Sequence, residues 1–215
     1  MDQALREPPG LLAAGGDLSP ARLLTAYERG VFPWYSAQQP ILWWSPDPRM
    51  VLFPEEFNCS RSLRKTLRNG PFSTRVDHAF SAVIRGCAAP RRSGPDTWLN
   101  AEMIASYERL HGLGFGHSIE AYCADELVGG VYGIQLGQVF FGESMFSRRR
   151  DASKVALARL VEECRVRDIK LIDCQVASAH LASLGARELS RGQFVALLHQ
   201  YARRAPCGSW ASAAP

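Results

Sequence analysis

The segment QVFFGESMFSRRRDASKVALARLVEECRVRDIKLIDCQV, residues 138–176, decides the fold of this chain. It reads as a strand, a basic turn, a helix and a second strand, and both strands are mostly apolar, as in sheets covered on two faces. Strand, helix and strand in one sheet predict a parallel crossover. Four apolar residues of the helix recur at spacings of three and four, which predicts one face lying on the sheet. They are Leu157, Leu160, Val161 and Cys164.

Both predicted strands carry polar residues among their apolar ones. Glu143 interrupts the first strand, and Asp173 and Gln175 lie at the end of the second. Carboxylates are rarely buried without a partner. Each acid taken alone could cap a loop or pair with an arginine. Two acids and an amide at neighbouring strand ends instead indicate a functional site.

Length and composition exclude several classes of protein. The chain has 215 residues, 47% of them apolar, which suits one large domain or two small ones. No apolar run approaches membrane-spanning length, and the start, MDQALREPPG, lacks a basic segment followed by an apolar stretch, so we expect a cytoplasmic protein without membrane partners. Six cysteines without a C-x-x-C pair suggest neither a disulfide framework nor a metal site.

Basic residues are concentrated between positions 61 and 92, where eight Arg or Lys accompany one acid, Asp77. Residues 60–69 read as a helix that carries four of them on one face. Such a face is a candidate phosphate-binding surface, with an ordinary solvated helix surface as the alternative. The four residues, called the basic face below, are Arg61, Arg64, Lys65 and Arg68.

Residues 1–60 are predicted to form a small irregular N-terminal domain. Ser19 and Pro20 begin a helix that Gly30 ends, and frequent prolines then forbid long strands. Three tryptophans in this region could form its core or stack on the bases of single-stranded nucleic acid. They are Trp34, Trp43 and Trp44.

Residues 61–205 are predicted to form an α/β (α+β) domain with a mixed sheet. The strands GHSIEAYC (116–123), ELVGGVYGI (126–134) and QVFFGESMF (138–146) are separated by short turns and predict an antiparallel meander. Asp77 is expected to cap one helix, and Ser190 with Gln193 to form the capping box of another. The flexible turn PRRSGPD, residues 90–96, separates two helices, and residues 206–215 read as a loose tail.

A meander that runs into a helix and then a parallel strand is the layout of GNAT-type acyltransferases. Those enzymes hold coenzyme A on a glycine-rich turn at the start of the helix, where backbone N–H groups face the pyrophosphate. The corresponding turn here, SRRRDASK at residues 147–154, has no glycine. We therefore expect a different acyl donor.

Five motifs together resemble one family, the leucyl/phenylalanyl-tRNA–protein transferases, over nearly the whole chain. They are LREPPGLLAAGGDLSPARLLTAYERGVFPW (5–34), ILWWSPDPR (41–49), GESMFSR (142–148), DASKVAL (151–157) and LIDCQV (171–176). The resemblance implies a small N-terminal domain, a GNAT-like domain and no cofactor. It also implies transfer of Leu or Phe, with Met as a further candidate, from aminoacyl-tRNA to the N-terminal Arg or Lys of proteins, which marks them for degradation by the N-end rule.

The resemblance also implies roles for particular residues. Asp173 and Gln175 match a pair proposed to assist the attacking amine, and Glu143 lines the same site. We interpret Gln175 as holding the amine, oriented by Asp173. Trp34 and Trp98 match residues near the terminal adenosine. The pocket for the transferred side chain falls on Val131, Phe140, Met145, Leu157 and Ile172.

Two alternative functions remain open at the level of the sequence. One is a GNAT-type acetyltransferase that uses acetyl-CoA, although the turn without glycine disfavours it. The other is a non-catalytic tRNA-binding module, which would keep the basic face while its acids were only structural.

Overall fold

The structure is a computed structural model that describes residues 4–5, 7–90 and 98–210. The helices are α1 (Pro20–Glu28), α2 (Arg61–Asn69), α3 (Phe80–Ala88), α4 (Ala101–Gly112), α5 (Ala152–Val166), α6 (Ala179–Ser183) and α7 (Arg191–Tyr201), with a short 3₁₀ helix at Pro54–Glu56. The strands are β1 (Leu11–Ala14), β2 (Phe32–Pro33), β3 (Leu42–Trp44), β4 (Arg49–Leu52), β5 (Phe72–Val76), β6 (Gly116–Cys123), β7 (Glu126–Leu136), β8 (Val139–Ser147), β9 (Leu171–Gln175) and β10 (Arg187–Leu189).

The strands form two sheets. A three-stranded sheet has the order β1-β3-β2, and a seven-stranded sheet has the order β10-β4-β9-β8-β7-β6-β5. The predicted meander is confirmed, because β6 pairs antiparallel with β7, and β7 pairs antiparallel with β8. The predicted crossover is confirmed as well, since β8 and β9 pair parallel and α5 connects them. The larger sheet is therefore mixed.

Helix α5 covers one face of the large sheet. The four apolar residues that predicted this contact are all buried, none more than 3% exposed. Gly129 of β7 allows the start of the helix to approach closely, because a Cβ at this position would lie 2.7 Å from the Cβ of Ala152. The opposite face of the sheet packs on α1, α3, α4 and α7. Neighbouring strand residues consequently enter different cores: Phe140 packs on the α5 side and Phe141 on the other.

The N-terminal region contributes strands to both sheets. β1, β2 and β3 form the small sheet, whereas β4 lies between β9 and β10 of the large one. The division at residue 60 stays a prediction. Trp43 is buried in the main core, as one of the two interpretations of the tryptophans expected, and its indole N–H donates to the Gly15 carbonyl at 2.9 Å.

Two local expectations require correction. Asp77 does not cap α3. Its backbone has a φ of 51°. Its carboxylate accepts a hydrogen bond from Ser118 N at 2.7 Å and contacts His117 Nδ1 at 2.7 Å. Glu120 instead accepts from the backbone N–H groups that precede α3. The predicted loose tail, residues 206–215, is packed on the protein at Trp210. This residue is 5% exposed, and its ring stacks on that of His117 with centroids 4.4 Å apart. A large aromatic side chain gains more by covering an apolar surface than by staying in solvent.

Other expectations are confirmed or lie outside the described residues. The capping box of Ser190 and Gln193 is present at the start of α7. The turn at residues 90–96, including two arginines of the basic region, falls almost entirely outside the described residues. Within the described ranges, no helix is both long and apolar enough to cross a membrane.

Candidate active site

A cavity of about 380 Å³ lies beside the middle of β8 and the end of β9, next to β2 of the small sheet. It brings together the two predicted adenosine-stacking tryptophans, Trp34 and Trp98, and the three polar residues singled out in the sequence. Four of the five predicted pocket residues also line it: Val131, Met145, Leu157 and Ile172. Phe140 does not line the cavity; it is buried in the core on the α5 side, with its ring 5.8 Å from that of Trp210.

Asp173 is held behind the cavity surface by Arg49. The guanidinium makes a two-pronged contact with the carboxylate, from Nε to Oδ1 at 2.8 Å and from Nη2 to Oδ2 at 2.6 Å. Both side chains are 1% exposed or less. Arg49 also donates to the Gly30 carbonyl at 3.1 Å and lies over the rings of Phe32 and Phe194. The possibility that an acid pairs with an arginine is thus realised for Asp173.

Gln175 is positioned by both acids. Its backbone N–H donates to Asp173 Oδ1 at 2.9 Å, and its side-chain Nε2 donates to Glu143 Oε1 at 3.0 Å. The residue has φ of 64°, a left-handed conformation that is uncommon for residues other than glycine. With Nε2 committed to Glu143, the side-chain oxygen of Gln175 is the group that can accept a hydrogen bond from a ligand. Asp173 therefore orients Gln175 through its backbone, and Glu143 orients its amide.

Glu143 is buried among hydroxyl groups. Tyr27 donates to Oε1 at 2.9 Å, Tyr107 donates to Oε2 at 2.6 Å, and the two phenol oxygens are 3.0 Å apart. Burial raises the pKa of Glu143 from its ordinary value of 4.5 to about 7, although the two tyrosines oppose this shift by favouring the carboxylate. A carboxyl group with such a pKa can exchange a proton near neutral pH.

Cys174 lies between Asp173 and Gln175 and also lines the cavity. Part of the residue reaches the surface, but its sulfur is enclosed, and this burial, with the neighbouring Asp173 charge, raises the pKa of the thiol. The thiolate is the nucleophilic form of cysteine. Cys174 is therefore unsuited to act as a nucleophile at neutral pH.

Trp34 is the more exposed of the two cavity tryptophans. It is 47% exposed, and its backbone is fixed by hydrogen bonds to Leu42 and Trp44 across the small sheet. Its ring also contacts that of Trp44, with centroids 5.7 Å apart. A fixed and partly exposed indole is suited to stacking against a flat ligand such as a nucleobase.

The basic face lies outside this cavity, on α2. All four of its side chains are exposed, while Leu63 on the opposite side of the helix is buried against the α5 core. Ser60 begins the helix by accepting from Leu63 N at 3.2 Å. The predicted amphipathic helix is thus confirmed, whereas the role of its basic side chains stays a prediction.

Three polar residues of the site were missed by reasoning from the sequence. Tyr27 and Tyr107 fall among the apolar residues on the buried faces of α1 and α4, and Arg49 follows a proline-rich stretch with no periodic pattern. For Arg49 a signal did exist: a buried carboxylate such as Asp173 requires a partner. The sequence does not say which of the many arginines supplies it.

Glu143→Gln is expected to change the pH dependence of stability. Because the folded pKa of Glu143 lies above its ordinary value, the native state binds this proton more tightly, and wild-type stability falls as pH rises from about 4.5 to about 7. The variant lacks this loss. Its stability relative to wild type should rise over that window by about 3 kcal/mol and stay constant above it. Urea unfolding between pH 4.5 and 8.5 measures this, and parallel curves would contradict the assignment.

Comparisons with known proteins agree with the resemblance found in the motifs. The family model described as leucyl/phenylalanyl-tRNA protein transferase matches residues 51–199, and the model of its N-terminal domain matches residues 16–47. A solved GCN5-related N-acetyltransferase from Kribbella flavida aligns with a TM-score of 0.43 and 12% identity, over 80% of this chain and 61% of that one.

Curated relatives are far more similar in sequence. The leucyl/phenylalanyl-tRNA–protein transferase of Chromobacterium violaceum is 55% identical over 94% of this chain and 87% of its own. That of Aromatoleum aromaticum is 56% identical over 98% of this chain and 89% of its own. With the family-model matches, these similarities show that the chain belongs to the leucyl/phenylalanyl-tRNA–protein transferase family.

Proposed function

We propose that this protein transfers Leu or Phe, with Met as a further candidate, from aminoacyl-tRNA to the N-terminal Arg or Lys of acceptor proteins. The observation that carries the proposal is the composition of one cavity, in which an apolar wall, two tryptophans and the Gln175–Glu143 pair meet. The wall suits the transferred side chain, the tryptophans suit the terminal adenosine, and the polar pair suits an amine. Because charged tRNA is a cytoplasmic substrate, the reaction takes place in the cytoplasm.

The reaction is aminolysis of an ester. The acceptor nitrogen attacks the aminoacyl carbonyl carbon, a C–N bond forms, and the bond from that carbon to the tRNA 3′-terminal oxygen breaks. The amine loses one proton, and the departing oxygen gains one. The ester is already activated, so alignment of the two reactants supplies much of the rate enhancement.

Gln175 is assigned the task of holding the amine. Its side-chain oxygen accepts a hydrogen bond from the attacking nitrogen, while Glu143 keeps the amide in the required orientation. A free α-amino group has a pKa of about 7.7–8.0, so a sizeable fraction is neutral and nucleophilic near neutral pH. The carboxylate of Glu143 also stabilises positive charge that develops on the nitrogen. Asp173, buried behind the surface, is a positioning residue in this scheme.

The lining of the cavity also suits a cationic acceptor terminus. Glu143 is its acidic member without an arginine partner, since Arg49 balances the charge of Asp173, and the described residues that line the cavity include neither Lys nor Arg. An acceptor that begins with Arg or Lys brings a positive side chain as well as its amine. A carboxylate in a partly enclosed cavity attracts the positive side chain and can accept a hydrogen bond from the amine.

Three measurements, of leucine transfer, tRNA binding and peptide acetylation, separate this function from its alternatives. Purified protein is incubated with leucyl-tRNA carrying radioactive leucine and with a peptide that begins with Arg. Label is expected to enter the peptide. Binding of the tRNA without transfer would identify a non-catalytic module, and acetylation of the peptide from acetyl-CoA would identify an acetyltransferase.

The shape of the apolar wall predicts donor selectivity. Leu and Phe branch beyond Cβ, whereas Ile and Val branch at Cβ, where the aminoacyl group enters the pocket. Misfits of one methyl group cost about 1–3 kcal/mol, so kcat/KM for leucyl-tRNA should exceed that for isoleucyl-tRNA by roughly 10- to 200-fold. Steady-state kinetics with both charged tRNAs measures the ratio. Equal values would contradict the assignment of Val131, Met145, Leu157 and Ile172 to the pocket.

A further inference from the structure

A second groove, of about 400 Å³, adjoins the candidate active site. It shares Phe32, Trp34 and Val176 with the lining of the first cavity, so these residues form the boundary between the two. Val176 directly follows Gln175, in a turn in which Val176 N donates to the Cys174 carbonyl at 2.8 Å. The groove therefore begins one residue beyond the group that is assigned to the amine.

The lining of the groove combines aromatic and proline residues with two acids. Trp44, Pro46 and Pro48 supply apolar surface, and Asp47 and Glu188 supply carboxylates. Asp47 and Glu188 are exposed, and Asp47 accepts a hydrogen bond from Arg191 N at 3.0 Å. Among the described residues, Glu188 has no ion-pair partner, and none of those that line the groove is Lys or Arg.

We propose that this groove, here called the acceptor groove, binds the residues that follow the N-terminal residue of the acceptor protein. The proposal rests on the function assigned above, because it supposes that the acceptor amine lies at Gln175. An acceptor whose first residue occupies the cavity must lead the rest of its chain away along the surface. The acceptor groove offers a continuous path from the amine position, past Trp34 and Val176.

The charge of the groove favours a polypeptide over the single-stranded end of the donor RNA. Surfaces that bind a nucleic-acid backbone carry Lys and Arg against its phosphates. Two exposed carboxylates would repel those phosphates. The same carboxylates favour an acceptor segment that carries Lys or Arg in its second to fourth positions.

The test uses hexapeptide amides that begin with Arg and carry Lys, Ala or Glu at positions two to four, together with the dipeptide amide Arg-Ala. With wild-type protein, KM for the peptide is expected to be lowest with Lys and highest with Glu, by roughly two- to fivefold for each charge. Glu188→Gln should weaken this order, and Glu188→Lys should abolish it, because Asp47 keeps its negative charge in both variants. KM for Arg-Ala and for leucyl-tRNA should remain unchanged in both variants.

Glu126→Lys is the matched control, because Glu126 is an exposed acid at the β6–β7 turn and makes the same change of charge away from the groove. It should keep the wild-type order of peptides. If Glu188→Lys also keeps that order, the acceptor groove does not bind the acceptor. If it instead lowers KM for leucyl-tRNA and steepens its salt dependence, the groove faces RNA and the proposal is overturned.

The failure of the wider function would be distinguishable. In that case wild-type protein would transfer leucine to none of the peptides, including Arg-Ala. If Arg-Ala accepts leucine while the hexapeptides show no dependence on residues two to four, the proposed function stands and the acceptor groove is refuted.

Discussion

Arg49→Met is expected to lower the free energy of unfolding by about 3–5 kcal/mol, because it leaves the Asp173 carboxylate buried without its partner. The pair is enclosed, with both oxygens of Asp173 occupied by the guanidinium. A loss of this size is a large part of the stability of an ordinary domain. Denaturant unfolding at neutral pH measures it.

The double variant Arg49→Met/Asp173→Leu separates the ion pair from packing. Replacement of both charges by apolar groups is often neutral for stability, so the double variant should recover much of the loss. It should not recover kcat, because the backbone N–H of Gln175 then lacks the carboxylate that orients it. Recovery of both stability and kcat would show that Asp173 has no positioning role.

Arg85→Met serves as the control on the surface. Arg85 pairs with Glu108 at 2.9 Å, but its side chain is 62% exposed. Exposed pairs contribute about 0–1 kcal/mol, so this variant should lie within that range of wild type. A loss comparable to that of Arg49→Met would mean that removal of any arginine, rather than leaving a buried carboxylate without its partner, causes the effect.

Removal of the basic face on α2 is expected to raise KM for aminoacyl-tRNA strongly. The variant replaces Arg61, Arg64, Lys65 and Arg68 by Ala. If each side chain neutralises one phosphate, each replacement should reduce the salt dependence of tRNA binding. The slope of the logarithm of the binding constant against the logarithm of the salt concentration should become shallower by roughly 0.9 per residue. The choice between Leu and Phe should not change, because phosphate contacts carry no sequence information.

An aminoacyl-adenosine donor provides the internal control for this variant. That donor has no acceptor stem to contact α2, so activity on it should be nearly unchanged. The pair Arg29→Ala/Arg203→Ala removes two exposed charges elsewhere and should alter the salt slope less than Arg64→Ala/Arg68→Ala. Equal loss of activity on both donors with an unchanged salt slope would leave the basic face as solvated surface.

Much of the architecture was predictable because its signals are local in the chain. The apolar period of α5 and the alternation of the meander each arise within a dozen residues, and so does the capping box of Ser190 and Gln193. Asp77 shows the limit of such reasoning. Its position before a helix suggested a cap, but its carboxylate found stronger partners on β6, about 40 residues away along the chain.

The sequence by itself determined the parallel crossover, the family and the candidate residues Glu143, Asp173 and Gln175. Only the tertiary structure decided how they work together. Arg49 meets Asp173 across 124 positions, and Tyr27 meets Glu143 across 116. No local period encodes such contacts, because they form where the two sheets and their covering helices enclose a common space. The low polarity of that space raises the pKa of Glu143, and the same enclosure places Asp173 behind the surface, where it orients Gln175 through the backbone N–H.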